Sequence, residues 1–135
     1  MNEKHTKYLS ALENKVITFS KTYNVRMGAL LVHRNKIISY GKNDFKTDPF
    51  QAKYADHEWR VHIHAEVNAV KKALKQISID EIKDSTLYVV RMKQNPFDKK
   101  FIWGMARPCK SCQMCLAAFG ISKVVYTTED GCAFL

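Results

Sequence analysis

The sequence predicts an α/β fold: a mixed central β-sheet with helices on both faces, a three-layer α/β/α sandwich formed by one domain over residues 1–135. Three observations carry that expectation. Segments of helical period alternate with short β-prone runs, which implies strands joined by right-handed helical crossovers. The first two such runs are separated only by a tight turn, so part of the sheet is antiparallel. With 135 residues, of which 46% are apolar and 26% charged, the chain can bury a core without disulfides and has no disordered composition.

Taken in order, Glu3–Thr22 carries Tyr8, Leu9, Leu12, Val16 and Phe19 close to an i, i+4 stripe, with neither Gly nor Pro inside. That pattern is an amphipathic helix packed on a sheet. Val25–His33 is a nearly unbroken apolar run, as suits a central strand covered on both faces. Arg34-Asn35 turns the chain, Lys36–Tyr40 returns as the second arm of a hairpin, and Gly41–Asp44 ends it. Phe45–Val61 is a long polar connection in which Lys46, Lys53 and Arg60 are interleaved with Phe50, Tyr54 and Trp59. It reads equally as a nucleotide-facing surface and as a solvated loop, and its His57, like the following His62, reads as polar surface.

His64–Ile77 places Ala65, Val67, Ala69, Val70, Ala73, Leu74 and Ile77 on one broad face, a helix whose positive end lies at His64. Ile79–Ser85 is a charged connector, and Thr86–Val90 an interior strand. Arg91–Arg107 is a second irregular segment, holding Pro96, Phe97, Phe101 and Trp103 among Lys93, Lys99 and Lys100. Cys109–Gly120 is a short helix that Gly120 stops. Ile121–Thr128 is a strand, and Glu129-Asp130-Gly131 is a hairpin turn into an antiparallel last strand at Cys132–Leu135.

Chemistry concentrates at two helix starts, His64-Ala65-Glu66 and Pro108-Cys109-Lys110-Ser111-Cys112. Cysteines in a first helical turn feel the positive helix end, which favours thiolate. One turn separates Cys109 from Cys112, so both can reach one metal. One His and two Cys fill the three protein positions of a catalytic Zn²⁺ site, which keeps a fourth position open for water. Glu66 is then a spare carboxylate beside a metal-activated water, placed to carry protons. A disulfide framework and a redox Cys-x-x-Cys rank second, because a Pro precedes Cys109, a His-x-Glu answers it upstream and no signal peptide is evident. Cys115 extends the series, but a third thiolate would displace His64 or close the site, so it reads as helix core.

Lys and Arg number 22 against 13 Asp and Glu, a net charge of +9. That excess suits an anionic partner, a nucleotide phosphate or a polynucleotide, and equally suits solvated faces. No apolar run approaches the roughly 18 residues of a membrane span. Met1–Thr6 is polar, so the expectation is a soluble, cytoplasmic protein with no membrane partner.

The two motifs match the H-x-E…P-C-x-x-C signature of zinc-dependent nucleobase deaminases. From about Gly28 to Tyr126 the chain resembles the cytidine and deoxycytidylate deaminase superfamily. The resemblance implies the same three-layer sandwich, with hydrolysis of a cytosine nucleoside or nucleotide to its uracil product and ammonia. It makes His64, Cys109 and Cys112 the zinc ligands and Glu66 the catalytic proton carrier. It sets Asn43 on the substrate's sugar, with Ala65 beside the substrate as well. It lines one pocket wall with the approach to the Cys motif, where Trp103 would stack on the base and Arg107 or a Lys would meet a phosphate, while Phe101, the other aromatic there, reads rather as loop packing. Members of the superfamily are commonly oligomers, so a homo-oligomer is expected. Two further classes stay open. One is a polynucleotide deaminase acting on cytosine or adenine in single-stranded DNA or RNA, which the charge and the aromatic-basic loops favour. The other is a non-catalytic zinc-stabilised nucleic-acid-binding module, in which Glu66 would have no reason to sit beside an open metal position.

Overall fold

A computed structural model of the chain describes residues 3–19, 25–47 and 62–135. Helix α1 (Glu3–Phe19) leads to β1 (Val25–His33) and β2 (Lys36–Lys42), which pair antiparallel. Arg34 and Asn35 join them with φ of 49° and 64°, the left-handed pair of a two-residue type I′ hairpin, which Asn tolerates better than most residues. Strand β3 (Asp44–Thr47) pairs with the short β4 (His62–Ile63) in a separate ribbon. Then follow α2 (Ala65–Ala73), α3 (Ile79–Lys83), β5 (Thr86–Gln94), β6 (Phe101–Gly104), α4 (Lys110–Ala118), β7 (Lys123–Thr128) and β8 (Gly131–Phe134). The main sheet runs β2-β1-β5-β7-β8, with β6 alongside the outer part of β5. Only β5 and β7 are parallel, and β8 returns antiparallel to β7 as the turn at Glu129-Asp130 predicts.

Both faces of the sheet are covered, which is why β1 and β5 read as almost continuous apolar runs. Leu30, Val32, Tyr88, Val90, Met92 and Val125 face Tyr8, Leu9, Leu12 and Val16 of α1. Residues of the opposite parity, Ala29, Leu31, Leu87, Val89, Val124 and Tyr126, pack with Ala65, Ala69, Val70 and Ala73 of α2, Ile82 of α3 and Leu116 of α4. The mixed three-layer arrangement is the predicted one. Among the described residues no helix is long and apolar enough to cross a membrane.

Four elements differ from expectation. The connection predicted from Phe45 begins as a strand, since Asp44–Thr47 is β3. The helix predicted over His64–Ile77 ends at Ala73. Ile79–Lys83 is a helix rather than a connector: Ser78 Oγ accepts from Glu81 N–H and the Glu81 carboxylate accepts from Ser78 N–H, a capping box that satisfies two orphan donors at once. The segment Arg91–Arg107 is not irregular throughout. Strand β5 continues to Gln94 and turns back as β6, so Arg91 pairs with Gly104 and Met92 with Trp103. The connection at 48–61, with His57, lies outside the described residues, as do the side chain of His62 and the end of the helix predicted to Thr22.

Candidate active site

The site forms where α2 and α4 begin, at one end of the sheet. Strand β2 and the residue that follows it seat α2 through three contacts. Ser39 Oγ donates to Ala69 O at 2.7 Å. Asn68 Nδ2 donates to Lys42 O at 3.0 Å. Asn43 Oδ1 accepts from Ala65 N–H at 2.7 Å. His64 is the N-cap of α2 and makes no side-chain cap bond, so Asn43 supplies from another element the cap that the helix start lacks. Gly41 lets the helix lie this close. A Cβ there would sit 2.2 Å from Ala65 O and 2.5 Å from Ala69 N.

With α2 fixed, His64 Nδ1 lies 3.2 Å from Cys112 Sγ and 3.4 Å from Cys109 Sγ. The three donor atoms all fall within 4.8 Å of one another. Cys109 is the N-cap of α4. Its turn is held by Gln113, whose Nε2 donates to Pro108 O at 2.8 Å, and its sulfur also meets Ser111 Oγ at 3.2 Å. The Cys109 thiol is lowered to about 3, first by its contact with Cys112 and then by that with His64. The Cys109 contact correspondingly raises the His64 imidazole. Thiolate is the ligand form of cysteine, and one imidazole with two sulfurs is a donor set that Zn²⁺ accepts.

Glu66, one residue beyond Ala65 in the first turn of α2, is 2% exposed. Burial pushes its carboxyl upward, against the opposing influence of a backbone hydrogen bond and of His64. A hydrogen bond joins the carboxyl to Cys112, while Oε1 is buried with no partner among the described residues. A buried oxygen without a partner is costly, and here it lies beside the candidate ligands.

The structure therefore brings together His64, Ala65, Glu66, Asn43, Cys109 and Cys112. Arg107 is exposed immediately before Pro108, which is buried. Trp103 is placed elsewhere. It pairs with Met92 and packs with the core on the α1 side, so the layer of the sheet separates it from α2. Phe101 packs on that same side, with Arg26 over its ring at 4.5 Å. Cys115 is buried against Val67 and Cys112 as helix core, and none of the four cysteines is in a disulfide. Ser39, Gly41 and Asn68 escape a reading of the sequence. Their roles depend on α2 crossing β2, which no local pattern reports; the lone signal is a Gly at a strand end.

A family model described as the cytidine and deoxycytidylate deaminase zinc-binding region matches residues 2–128. No curated protein matches the chain at significant sequence similarity. Among solved structures, the dCMP deaminase from the cyanophage S-TIM5 in apo form is similar at 23% identity and a TM-score of 0.62, over 95% of this chain and 85% of that one. The complex of the S-TIM5 dCMP deaminase with dCMP and dUMP is similar at 22% identity and a TM-score of 0.60, over 93% and 82%. The cytidine deaminase from Burkholderia pseudomallei is similar at 19% identity and a TM-score of 0.64, over 100% and 92%. At these identities the structural likeness shows the shared fold. The sequence match spans nearly all of the chain, which belongs to the zinc-binding cytidine and deoxycytidylate deaminase family.

Proposed function

We propose that the chain is a zinc-dependent hydrolytic deaminase that converts a cytosine nucleoside or nucleotide to the uracil product and ammonia. The observation that carries this reading is Glu66, buried against Cys112 with one carboxylate oxygen unpartnered among the described residues. His64, Cys109 and Cys112 would hold Zn²⁺, and the bound ion supplies the Lewis acidity that makes water a competent nucleophile near neutral pH. Glu66 does the proton work. It takes a proton from the attacking water and gives it to the ring nitrogen beside the amino carbon, C4 of cytosine. It then carries the second proton to the departing amino group, which leaves as ammonia. Burial favours the protonated carboxyl, the form that donates to the ring.

Asn43 spends Oδ1 on Ala65 N–H and keeps Nδ2 to donate to a sugar hydroxyl. Arg107 is proposed as the contact for a substrate phosphate. The S-TIM5 dCMP deaminase has dCMP and dUMP in its solved complex, which supports including nucleotides in the substrate class. An oligomer acting in the cytoplasm belongs to the same proposal.

Ammonia release by the zinc-loaded protein offered cytidine, deoxycytidine and dCMP tests the reading. Turnover of at least one is expected, and silence on all three with zinc bound would contradict it. If dCMP is the substrate, Arg107→Ala should raise its KM roughly tenfold or more, as the loss of a charge-assisted hydrogen bond implies. Deoxycytidine kinetics should not change. Equal effects on both substrates would remove Arg107 from the phosphate.

A further inference from the structure

The β5–β6 hairpin runs past the end of the sheet that carries the site, and its tip, residues 95–100, belongs to no part of that site. The turn is tightly specified. Asn95 N–H donates to Lys100 O at 2.7 Å and Lys99 N–H to Asn95 O at 2.9 Å. Asn95 Oδ1 accepts from Phe97 N–H at 2.9 Å, Asp98 Oδ1 accepts from Lys100 N–H at 2.9 Å, and Gln94 Nε2 donates to Lys99 O at 2.8 Å. On this fixed turn the Phe97 side chain is 94% exposed. The turn uses the backbone N–H of Phe97 and not its ring, so the aromatic is not needed to form it. An exposed phenyl forgoes the burial that stabilises such a side chain elsewhere.

Lys99 and Lys100 flank it, both exposed, and neither belongs to an ion pair among the described residues. Asp98 is the one acid of the tip, and its carboxylate is engaged by Lys100 N–H. The neighbouring Lys93 is held by Glu129 at 2.5 Å. The tip therefore offers a fixed bare ring with two available cations on a chain of net charge +9. We propose that it is a contact for single-stranded nucleic acid, with a base stacked on Phe97 and adjacent phosphates held by Lys99 and Lys100. Stacking is tolerant of sequence because every base has a π-face, and cations beside the ring follow the backbone. An apolar pocket on a protein would use the ring and leave both lysines without a role.

Fluorescence anisotropy with a short labelled oligothymidylate tests this on the full chain. The probe contains no cytosine, so its binding does not depend on the deaminase reading, which deoxycytidine and dCMP turnover by the same variants reports separately. Phe97→Ala should weaken binding about tenfold, the scale of one lost base–aromatic stack. The double variant Lys99→Ala/Lys100→Ala should reduce the slope of log affinity against log salt by about 1.4, or about 0.7 per phosphate contact on a single strand. Zinc content, turnover and thermal midpoint should be unchanged, since all three side chains are exposed. Absence of binding by the wild type at low salt would overturn the proposal. So would binding that Phe97→Ala leaves intact, which would mean diffuse attraction to a basic protein. A self-association that Phe97→Ala abolishes without changing oligothymidylate affinity would assign the tip to a protein contact instead.

Discussion

Glu66 and Asn43 show how two side chains acquire their environments from opposite kinds of information. Glu66 was legible: a His-x-Glu before an apolar helical face, answered by Pro-Cys-x-x-Cys, names the donor set and the spare carboxylate from spacing alone. The resemblance assigned Asn43 to the substrate's sugar, and its position beside the helix start was not legible. Its bond to Ala65 N–H crosses 22 residues, and a cap supplied by another element leaves no mark in the helix's own sequence. Asn43→Ala therefore should do two things. It should cost about 1 kcal/mol of stability, the usual scale of a lost helix cap, measured by urea unfolding. It should also raise KM for the substrate more than it lowers kcat, if Nδ2 meets the sugar. Trp103 is the instructive failure at this scale. An aromatic residue in a segment without visible period cannot be assigned a face, and only the pairing of Trp103 with Met92 sets it on the α1 side of the sheet.

At the scale of elements, the position of α2 decides the site, because its first turn carries Ala65 and Glu66 and its N-cap is His64. Gly41 sets how closely the helix sits on β2. Gly41→Ala should destabilise the protein by about 1–3 kcal/mol, the usual cost of overpacking, or more, since the atoms it would strike are backbone. It should also lower kcat by displacing Glu66. A Gly41→Ala protein of wild-type stability and activity would show that the helix has room to shift. On the other side of the site, Thr127 fastens the approach to Cys109. Its hydroxyl accepts from Arg91 N–H at 3.1 Å and donates to Gly104 O at 2.9 Å, while its carbonyl accepts from Ala106 N–H at 2.9 Å. Thr127→Val removes the hydroxyl from a fully buried position and should cost about 1–3 kcal/mol in urea unfolding, the penalty of leaving buried polar partners unmade. The β5–β6 hairpin eluded the sequence reading because Lys93, Gln94, Asn95 and Pro96 interrupt the apolar alternation just where the strand runs past the core. Helix α3 had its signal in Ser78 and Glu81, but five residues with only Ile82 buried leave too little period to read.

For the whole molecule, the mixed sheet and its two covered faces followed from period and alternation, since burial on both sides is what makes the centres of β1 and β5 continuous apolar runs. Zinc held by His64, Cys109 and Cys112 would tie α2 to α4, two elements otherwise joined by modest packing through Val67, Cys112 and Cys115. Ligand binding to the folded state alone stabilises it, so a chelator should lower the thermal midpoint. His64→Ala or Cys109→Ala should lower it similarly and abolish the response to chelator. A midpoint indifferent to chelator in the zinc-loaded protein would contradict the metal centre. The central claim, that Glu66 moves the protons of a deamination, is tested most directly by comparing wild type and Glu66→Gln side by side, with zinc quantified in each and ammonia release followed on the substrate that the wild type turns over. The predicted result is full zinc occupancy in both, with turnover reduced at least about a hundredfold in the variant, the lower end of what general acid–base catalysis contributes. Undiminished turnover in fully zinc-loaded Glu66→Gln would contradict it.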